Sequence, residues 1–257
     1  MKKAAVVTGG TSGIGEAIVE TLARTGARVE FCGRHTETVR LHEENWRLEG
    51  LDVVGSVCDV TSEGDTDQYV KDIVARNGRI DYLVNNAGTS GGGPFHDLPT
   101  EVWHHIMATN CDSVFFMSRA VIRDGGILDH EHGRIINIAS TAGKQGIPLA
   151  APYNASKHAV IGITRSLALE YAKRNVTVNA VCPGYVQTPM ADTVVERHAE
   201  IAGLTPDDVR SEFEKKIPIG RYATPTEVAS LIEYLVRPEA AAITGQTLNV
   251  CGGLGRF

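Results

Sequence analysis

An excess of positive charge, a membrane-length apolar run, a paired-cysteine motif and a linker are all missing from this chain of 257 residues. Lys and Arg number 25 against 31 Asp and Glu, a net charge of −6, and the isoelectric point is near 5.8. A surface of that sign has too few cations to replace the counterions condensed on nucleic acid, so no nucleic-acid partner is expected. No apolar stretch approaches the ~18–20 residues of a transmembrane helix, so no membrane association is expected either. The start, Met1-Lys2-Lys3 and then Ala4-Ala5-Val6-Val7, has a charged head. Thr8-Gly9-Gly10 ends that run short of the about 7–15 apolar residues of a signal-peptide core. The five cysteines (Cys32, Cys58, Cys111, Cys182, Cys251) are odd in number, widely spaced and without a C-x-x-C. Cys32, Cys58 and Cys182 sit in or beside apolar runs, as buried reduced thiols of a cytoplasmic protein do. There is no repeat or low-complexity tract, and 42% of residues are hydrophobic, which excludes disorder and predicts one domain over 1–257.

What is present is alternation. Short Val- and Ile-rich runs at Ala4–Thr8, Arg28–Cys32, Val53–Cys58, Ile80–Val84, Arg134–Ile138, Thr177–Val181 and Thr247–Val250 read as strands. Most show no polar alternation, as strands buried on both faces should. Between them, Ile14–Arg24, Glu37–Leu48, Glu63–Arg76, Thr100–Val121, Tyr153–Tyr171 and Pro225–Leu235 read as helices. Strand–helix alternation of this length predicts right-handed βαβ units: an α/β fold, a single doubly wound Rossmann-type domain with a central parallel sheet and helices on both faces. One polar excursion, Met190 to Ile219 with a helical stretch over Pro206–Lys216, breaks the rhythm. Lying near the carboxyl ends of the strands, 190–219 is expected to form a lid over a ligand.

The first strand runs straight into Thr8-Gly9-Gly10-Thr11-Ser12-Gly13-Ile14-Gly15 and then a helix. Glycines allow a tight turn and close backbone approach, and the helix N-terminus offers free N–H groups to a pyrophosphate. The spacing is G-x-x-x-G-x-G rather than G-x-G-x-x-G, and its strand–helix context points to a dinucleotide. At the tip of the second strand, Cys32-Gly33-Arg34-His35 carries no acid. An acid there would select NAD, whereas Arg34 suits the 2′-phosphate of NADP(H). Glu30 lies inside the strand and is expected to meet a neighbour instead. Asp59, with Val60 after it, follows the third strand and suits the adenine amino group or a cap. Asn85-Asn86-Ala87-Gly88 closes the fourth strand and suits the same crevice.

A second group of residues carries acid–base character. Tyr153 and Lys157, in Tyr153-Asn154-Ala155-Ser156-Lys157, are one helical turn apart on one face. A free phenol has a pKa of about 10, and a neighbouring ammonium lowers it toward neutrality. Ser140, just past the fifth strand, is placed to hold a carbonyl oxygen beside the phenol. Asn110, in the long middle helix, is placed to polarise a water or bond the backbone near the lysine.

Together, Thr8-Gly9 with Gly13-Ile14-Gly15, Asn85-Asn86-Ala87-Gly88, the set Asn110, Ser140, Tyr153 and Lys157, and Pro183-Gly184 resemble the short-chain dehydrogenase/reductase family over essentially the whole chain. The resemblance implies that Tyr153 donates a proton to a ketone, with Lys157 lowering its pKa and binding the nicotinamide ribose. It implies that Ser140 orients the carbonyl and that Asn110 maintains a water relay to Lys157. Gly9, Thr11, Ser12, Gly13, Ile14, Gly15, Arg34, Asp59, Val60, Asn86, Ala87 and Gly88 would hold the nucleotide. Pro183, Gly184, Val186 and Thr188 would hold the nicotinamide, and homotetramers are usual in the family.

More narrowly, Asn137 to Gly146, Ala151 to His158, Ile217 to Tyr222 and Leu248 to Gly255 are similar to ketoreductases of type II aromatic polyketide synthases, the actinorhodin-type enzymes. So is the run Gly91-Gly92-Gly93. This implies NADPH-dependent reduction of one ketone of a polyketide intermediate delivered by an acyl carrier protein. Ser90 departs from the Pro of that pattern, leaving the stereochemical outcome open. Thr61 and Thr89 stand where basic residues would attract an acidic carrier, so the carrier is a weaker expectation than the ketone. A 3-oxoacyl thioester or another small ketone as substrate, and an NADP(H)-sensing binding protein on the same fold, remain alternatives.

Other residues have plainer readings. His130-Glu131-His132 lacks a third convergent ligand, and no metal site is expected. His104-His105 reads as packing plus surface, and His158 as packing. Tyr185, Met190, Val194 and Tyr222 suit either an apolar pocket or the core.

Overall fold

The chain is described by a computed structural model covering residues 2–129 and 132–255. Its seven strands are β1 (Ala4–Thr8), β2 (Arg28–Gly33), β3 (Val53–Val57), β4 (Tyr82–Asn85), β5 (Gly133–Ile138), β6 (Val176–Pro183) and β7 (Thr247–Val250). They form one sheet, every pairing parallel, in the order β3-β2-β1-β4-β5-β6-β7. Successive side chains leave a strand on opposite faces. Ala5 and Val7 therefore join one core layer, with α1 (Gly13–Arg24), α2 (Thr36–Leu48) and α9 (Pro225–Val236). Val6 joins the other, with α3 (Glu63–Asn77), α5 (Ser113–Asp124) and α6 (Ala151–Tyr171). Both faces are apolar because both are covered, and each fully buried aliphatic side chain contributes about 1.5–3 kcal/mol.

Double coverage fails at the edge. Val54 and Gly55 of β3 are only half-buried and Val57 is exposed, because β3 has a neighbour on one side only. Carboxylates that enter the core are paired, as Asp81 is with Lys3 and Arg79. Glu30 is fully buried and accepts from Arg76 Nη2 at 2.7 Å and Asn77 Nδ2 at 2.8 Å. It meets a neighbouring helix, not the strand tip.

The expected middle helix, Thr100–Val121, is two helices. α4 (Thr100–Met107) passes through a π turn at Ala108–Asp112 into α5. The wide turn carries Asn110 into the interior, where it is fully buried, so a side-chain demand broke a continuous helical pattern. The excursion after β6 also differs from its expectation. It holds two helices, α7 (Pro189–Ala202) and α8 (Pro206–Glu214). α7 is capped by Thr188 Oγ1, which accepts from Ala191 N at 3.3 Å, with Pro189 at the first helical position. Among the described residues, no helix is long and apolar enough to cross a membrane.

Candidate active site

Strand order reverses between β1 and β4, so the loops that follow them diverge and open a cleft at the carboxyl edge of the sheet. Its volume is about 560 Å³. The two loops are stitched together. Thr8 Oγ1 accepts from Asn86 N and Ala87 N at 3.0 Å each, and Asn86 Nδ2 donates to Thr8 O at 2.9 Å and Gly9 O at 3.0 Å. Gly15 is required here, since a Cβ would lie 2.1 Å from Gly9 O. Ser12 stands at the N-cap of α1 without making a side-chain cap bond, so its hydroxyl is left open to the cleft it lines. Thr11, Gly13, Ile14, Arg34, Val60 and Gly88 line the same end. Asp59 Oδ1 accepts from Thr61 N and Oγ1 at 3.0 and 2.7 Å. Those bonds, then the charge of Arg34, hold its carboxyl below the usual range. Asn85 points away from the crevice: its Nδ2 donates to Ser118 Oγ and Asn137 Oδ1 inside the core.

β5 and α6 build the centre of the cleft. Ser140 follows β5 and Tyr153 lies in the first turn of α6; both line the cleft with Lys157. Lys157 Nζ donates to Ile138 O at 2.8 Å and sits 5.8 Å from the centroid of the Tyr153 ring. With no carboxylate paired to it among the described residues, burial pushes the Lys157 amine down to about 8. The expected lowering of the Tyr153 pKa does not hold for the protein alone. Burial raises the phenol, opposed by its hydrogen bond with Ser140. Asn110 stands behind the wall. Its Oδ1 accepts from Thr89 N at 2.7 Å, and its Nδ2 donates to Thr89 O and to Ser156 Oγ, each at 3.0 Å. Ser156 Oγ in turn donates to Tyr153 O at 2.8 Å. A Cβ on Gly88 would be 3.3 Å from Asn110 Oδ1 and 3.6 Å from Lys157 Nζ, so the two flank this glycine.

Beyond Lys157 the lining mixes apolar and polar side chains. Pro183, Gly184, Val186 and Thr188 lead from β6 into α7, and the Thr188 methyl packs on Gly13, 3.0 Å from where a Cβ would stand. Tyr185, Met190 and Val194 line the cleft, whereas Tyr222 does not. Tyr222 is buried, stacked at 5.2 Å behind Tyr185, whose other neighbour is Phe213 at 4.8 Å. Sequence reasoning missed Thr109, Gln145, Ile147, Leu149, Arg197 and His198 here. Gly92, inside the glycine run, is one signal for Leu149: its Cβ would lie 2.0 Å from Leu149 O, so this glycine lets that loop pass.

His105 is exposed, as its reading expects, and it also lines the cleft. His158 is exposed rather than packed, its Nδ1 2.8 Å from Asn154 O. His130 and Glu131 lie outside the described residues.

A family model described as enoyl-(acyl carrier protein) reductase matches residues 9–255. A relative from Streptomyces violaceoruber, named as a ketoacyl reductase of the granaticin polyketide synthase, is 49% identical, covering 100% of this chain and 94% of its own. One from Streptomyces virginiae, named as a ketoacyl reductase of the monensin polyketide synthase, is 52% identical, over 99% of this chain and 98% of its own. A solved structure of an actinorhodin polyketide ketoreductase variant with NADPH superposes with a TM-score of 0.97 at 46% identity, covering 100% of this chain and 98% of that one. With the loop-and-helix cradle at the switch point and the serine, tyrosine and lysine at its centre, these likenesses make the chain a member of the short-chain dehydrogenase/reductase family.

Proposed function

We propose that this protein is an oxidoreductase that uses NADPH to reduce a ketone of an aromatic-polyketide precursor to a secondary alcohol. The observation that carries it is the convergence of Ser140, Tyr153 and Lys157 in one cleft, between a glycine cradle and the wall supplied by α7. The relatives named as ketoacyl reductases of polyketide synthases support the substrate class. The cradle fits a dinucleotide. Gly15 admits close backbone approach, the N-terminus of α1 is open for a pyrophosphate, and the tip of β2 offers Arg34 with no competing acid.

When bound, NADPH supplies the hydride. The protein's own residues do the rest. Ser140 and Tyr153 hold the carbonyl oxygen, and the phenol, protonated at neutral pH as a free phenol is and raised further by burial, gives its proton to that oxygen. Lys157 steadies the negative charge left on the phenol and reaches toward the nicotinamide ribose. Asn110 acts through others, holding the Thr89 backbone and, through Ser156, the carbonyl of Tyr153. Pro183, Gly184, Val186 and Thr188 form the nicotinamide wall. The 190–219 segment serves as a lid, since Met190, Val194 and His198 present one face of α7 to the cleft.

In the finer reading the substrate arrives on an acyl carrier protein and the enzyme is a cytoplasmic homotetramer. Five unpaired cysteines fit a reducing compartment. Phe115 on α5 and Leu169 on α6 are large apolar side chains left exposed on the long helices, as a subunit contact would require.

The test is NADPH oxidation with a bulky fused-ring ketone and, in parallel, a linear 3-oxoacyl thioester, with NADH as the cofactor control. The fused-ring ketone is expected to give the higher kcat/KM, and NADPH to be preferred over NADH. Preference for the linear thioester would move the enzyme to the fatty-acid class. Tight NADPH binding with turnover of neither would support a cofactor sensor.

A further inference from the structure

The cleft has the opposite charge to the molecule around it. The chain as a whole carries −6. Among the described residues, the charged side chains lining the cleft are the cations Arg34, Lys157 and Arg197 and one carboxylate, Asp59. Two of these cations have work under the proposed function. Arg34 suits the 2′-phosphate and Lys157 serves the phenol. Arg197 has none.

Its position sets it apart from the nucleotide. Met190, Val194, Arg197 and His198 line the cleft at helical spacing, so one face of α7 looks inward along its length. The helix starts at Thr188, which touches Gly13 of the nucleotide loop. At 1.5 Å per residue, Arg197 lies about 13 Å further along the axis, away from the nucleotide loop. No ion pair joins it to a carboxylate among the described residues; Glu196 and Glu200, its neighbours on α7, are exposed. By contrast Arg210, on α8 of the same segment, is committed to Asp192 at 2.6 Å. Arg197 is half-buried. His198 is fixed, with Nδ1 donating to Val194 O at 2.8 Å and its ring edge-on to Phe213 at 5.3 Å. His105 and Gln145 line the cleft from other elements.

A guanidinium that is half-buried, without a carboxylate partner and on the wall of a binding cleft is matched by a planar or tetrahedral oxyanion. We infer that Arg197, with His198 beside it, recognises an anionic group, a carboxylate or a phosphate, carried by the substrate at the end remote from the reacting ketone. This rests on the ketone-reduction reading and narrows it, since a neutral ketone would leave this half-buried cation without a partner.

The test uses the full chain saturated with NADP+. Three probes share one fused-ring ketone skeleton: one with a carboxylate on the far ring, one with a phosphate monoester there, and the methyl ester of the carboxylate. Calorimetric dissociation constants are measured for wild type, Arg197→Gln and Arg197→Lys. Wild type is expected to bind at least one anionic probe about tenfold more tightly than the methyl ester. In Arg197→Gln that advantage is expected to fall to within about twofold, with part of it kept in Arg197→Lys. The tighter of the two anionic probes names the group. A methyl ester that binds wild type as well as both anions, or an anion advantage that survives Arg197→Gln, overturns the assignment. Turnover with NADPH is followed separately: failure to reduce any probe strikes the ketone-reduction reading, whereas the binding pattern alone decides the role of Arg197.

Discussion

At the scale of the residue, the chemistry depends on two buried groups whose ionisation is set by what surrounds them. Burial raises the Tyr153 phenol, which is protonated at neutral pH in any case, and Ser140 pulls the other way. A proton donor must be protonated to act, so reduction should hold across neutral pH, and the reverse oxidation of an alcohol should rise with pH. Tyr153→Phe removes the transferable proton and is expected to lower kcat by about 10²–10⁴-fold. NADPH affinity, read by fluorescence titration, should stay close to wild type; an equal loss of affinity would mean that the phenol mainly builds the cofactor site.

Lys157 gives a sharper case, because its amine is brought down to about 8 by burial. The unfolded chain keeps that proton until about pH 10.4. Between those values the unfolded state binds more protons than the folded one, so the penalty for the buried ammonium is full below pH 8 and fades as pH rises. For the protein without cofactor, wild type should therefore gain stability relative to Lys157→Met between pH 7 and 10, by up to about 3 kcal/mol. Urea melts of both proteins across that range check it, and parallel pH curves would show that Lys157 titrates near its ordinary value.

At the scale of the element, loops were set by contacts that no single segment records. Gly92 has φ +148°, and a Cβ there would sit 2.0 Å from Leu149 O. Leu149, itself at φ 60°, leads into the first turn of α6 and so toward Tyr153. Gly92→Ala should therefore cost about 1–3 kcal/mol of stability and disturb the reacting end rather than the nucleotide end. The expected signature is a lower melting temperature and a reduced kcat/KM for the ketone, with the KM for NADPH little changed. The same scale explains the split middle helix. The pattern over residues 100–121 is helical throughout, and only the buried amide of Asn110, reaching Thr89 and Ser156, accounts for the π turn. The strand and helix types were legible from Val/Ile runs and spacing. α7 was not, although Thr188-Pro189 is a helix-start signal, because it packs Val195 and Ala199 on α8 rather than on the sheet and turns a mixed face, with Arg197 and His198, to the cleft.

At the scale of the whole molecule, the exposed apolar side chains of α5 and α6 lead to the quaternary prediction. Sedimentation should give four times the 27.6 kDa chain mass. Leu169→Glu, which places a charge on a side chain that is 85% exposed, should shift the distribution to smaller species without lowering the stability of the isolated fold. A monomeric wild type would remove the reason for those exposed residues.

The sequence by itself determined the parallel doubly wound sheet, because unbroken Val/Ile runs alternating with helices have few other ways to bury two faces. It also determined the nucleotide loop, whose glycines and following helix are local in the chain. Only the tertiary structure decided which candidates share the cleft. Asn85 and Asn86 are adjacent, yet the pleat sends one into the core and the other to Thr8 and Gly9. Tyr222 went behind Tyr185, and His105 and Arg197 came to face the cleft from helices far apart in the chain. The direction a side chain takes, and which of two distant helices closes over it, is settled by packing, and packing is a property of contacts between segments rather than of any segment's own pattern.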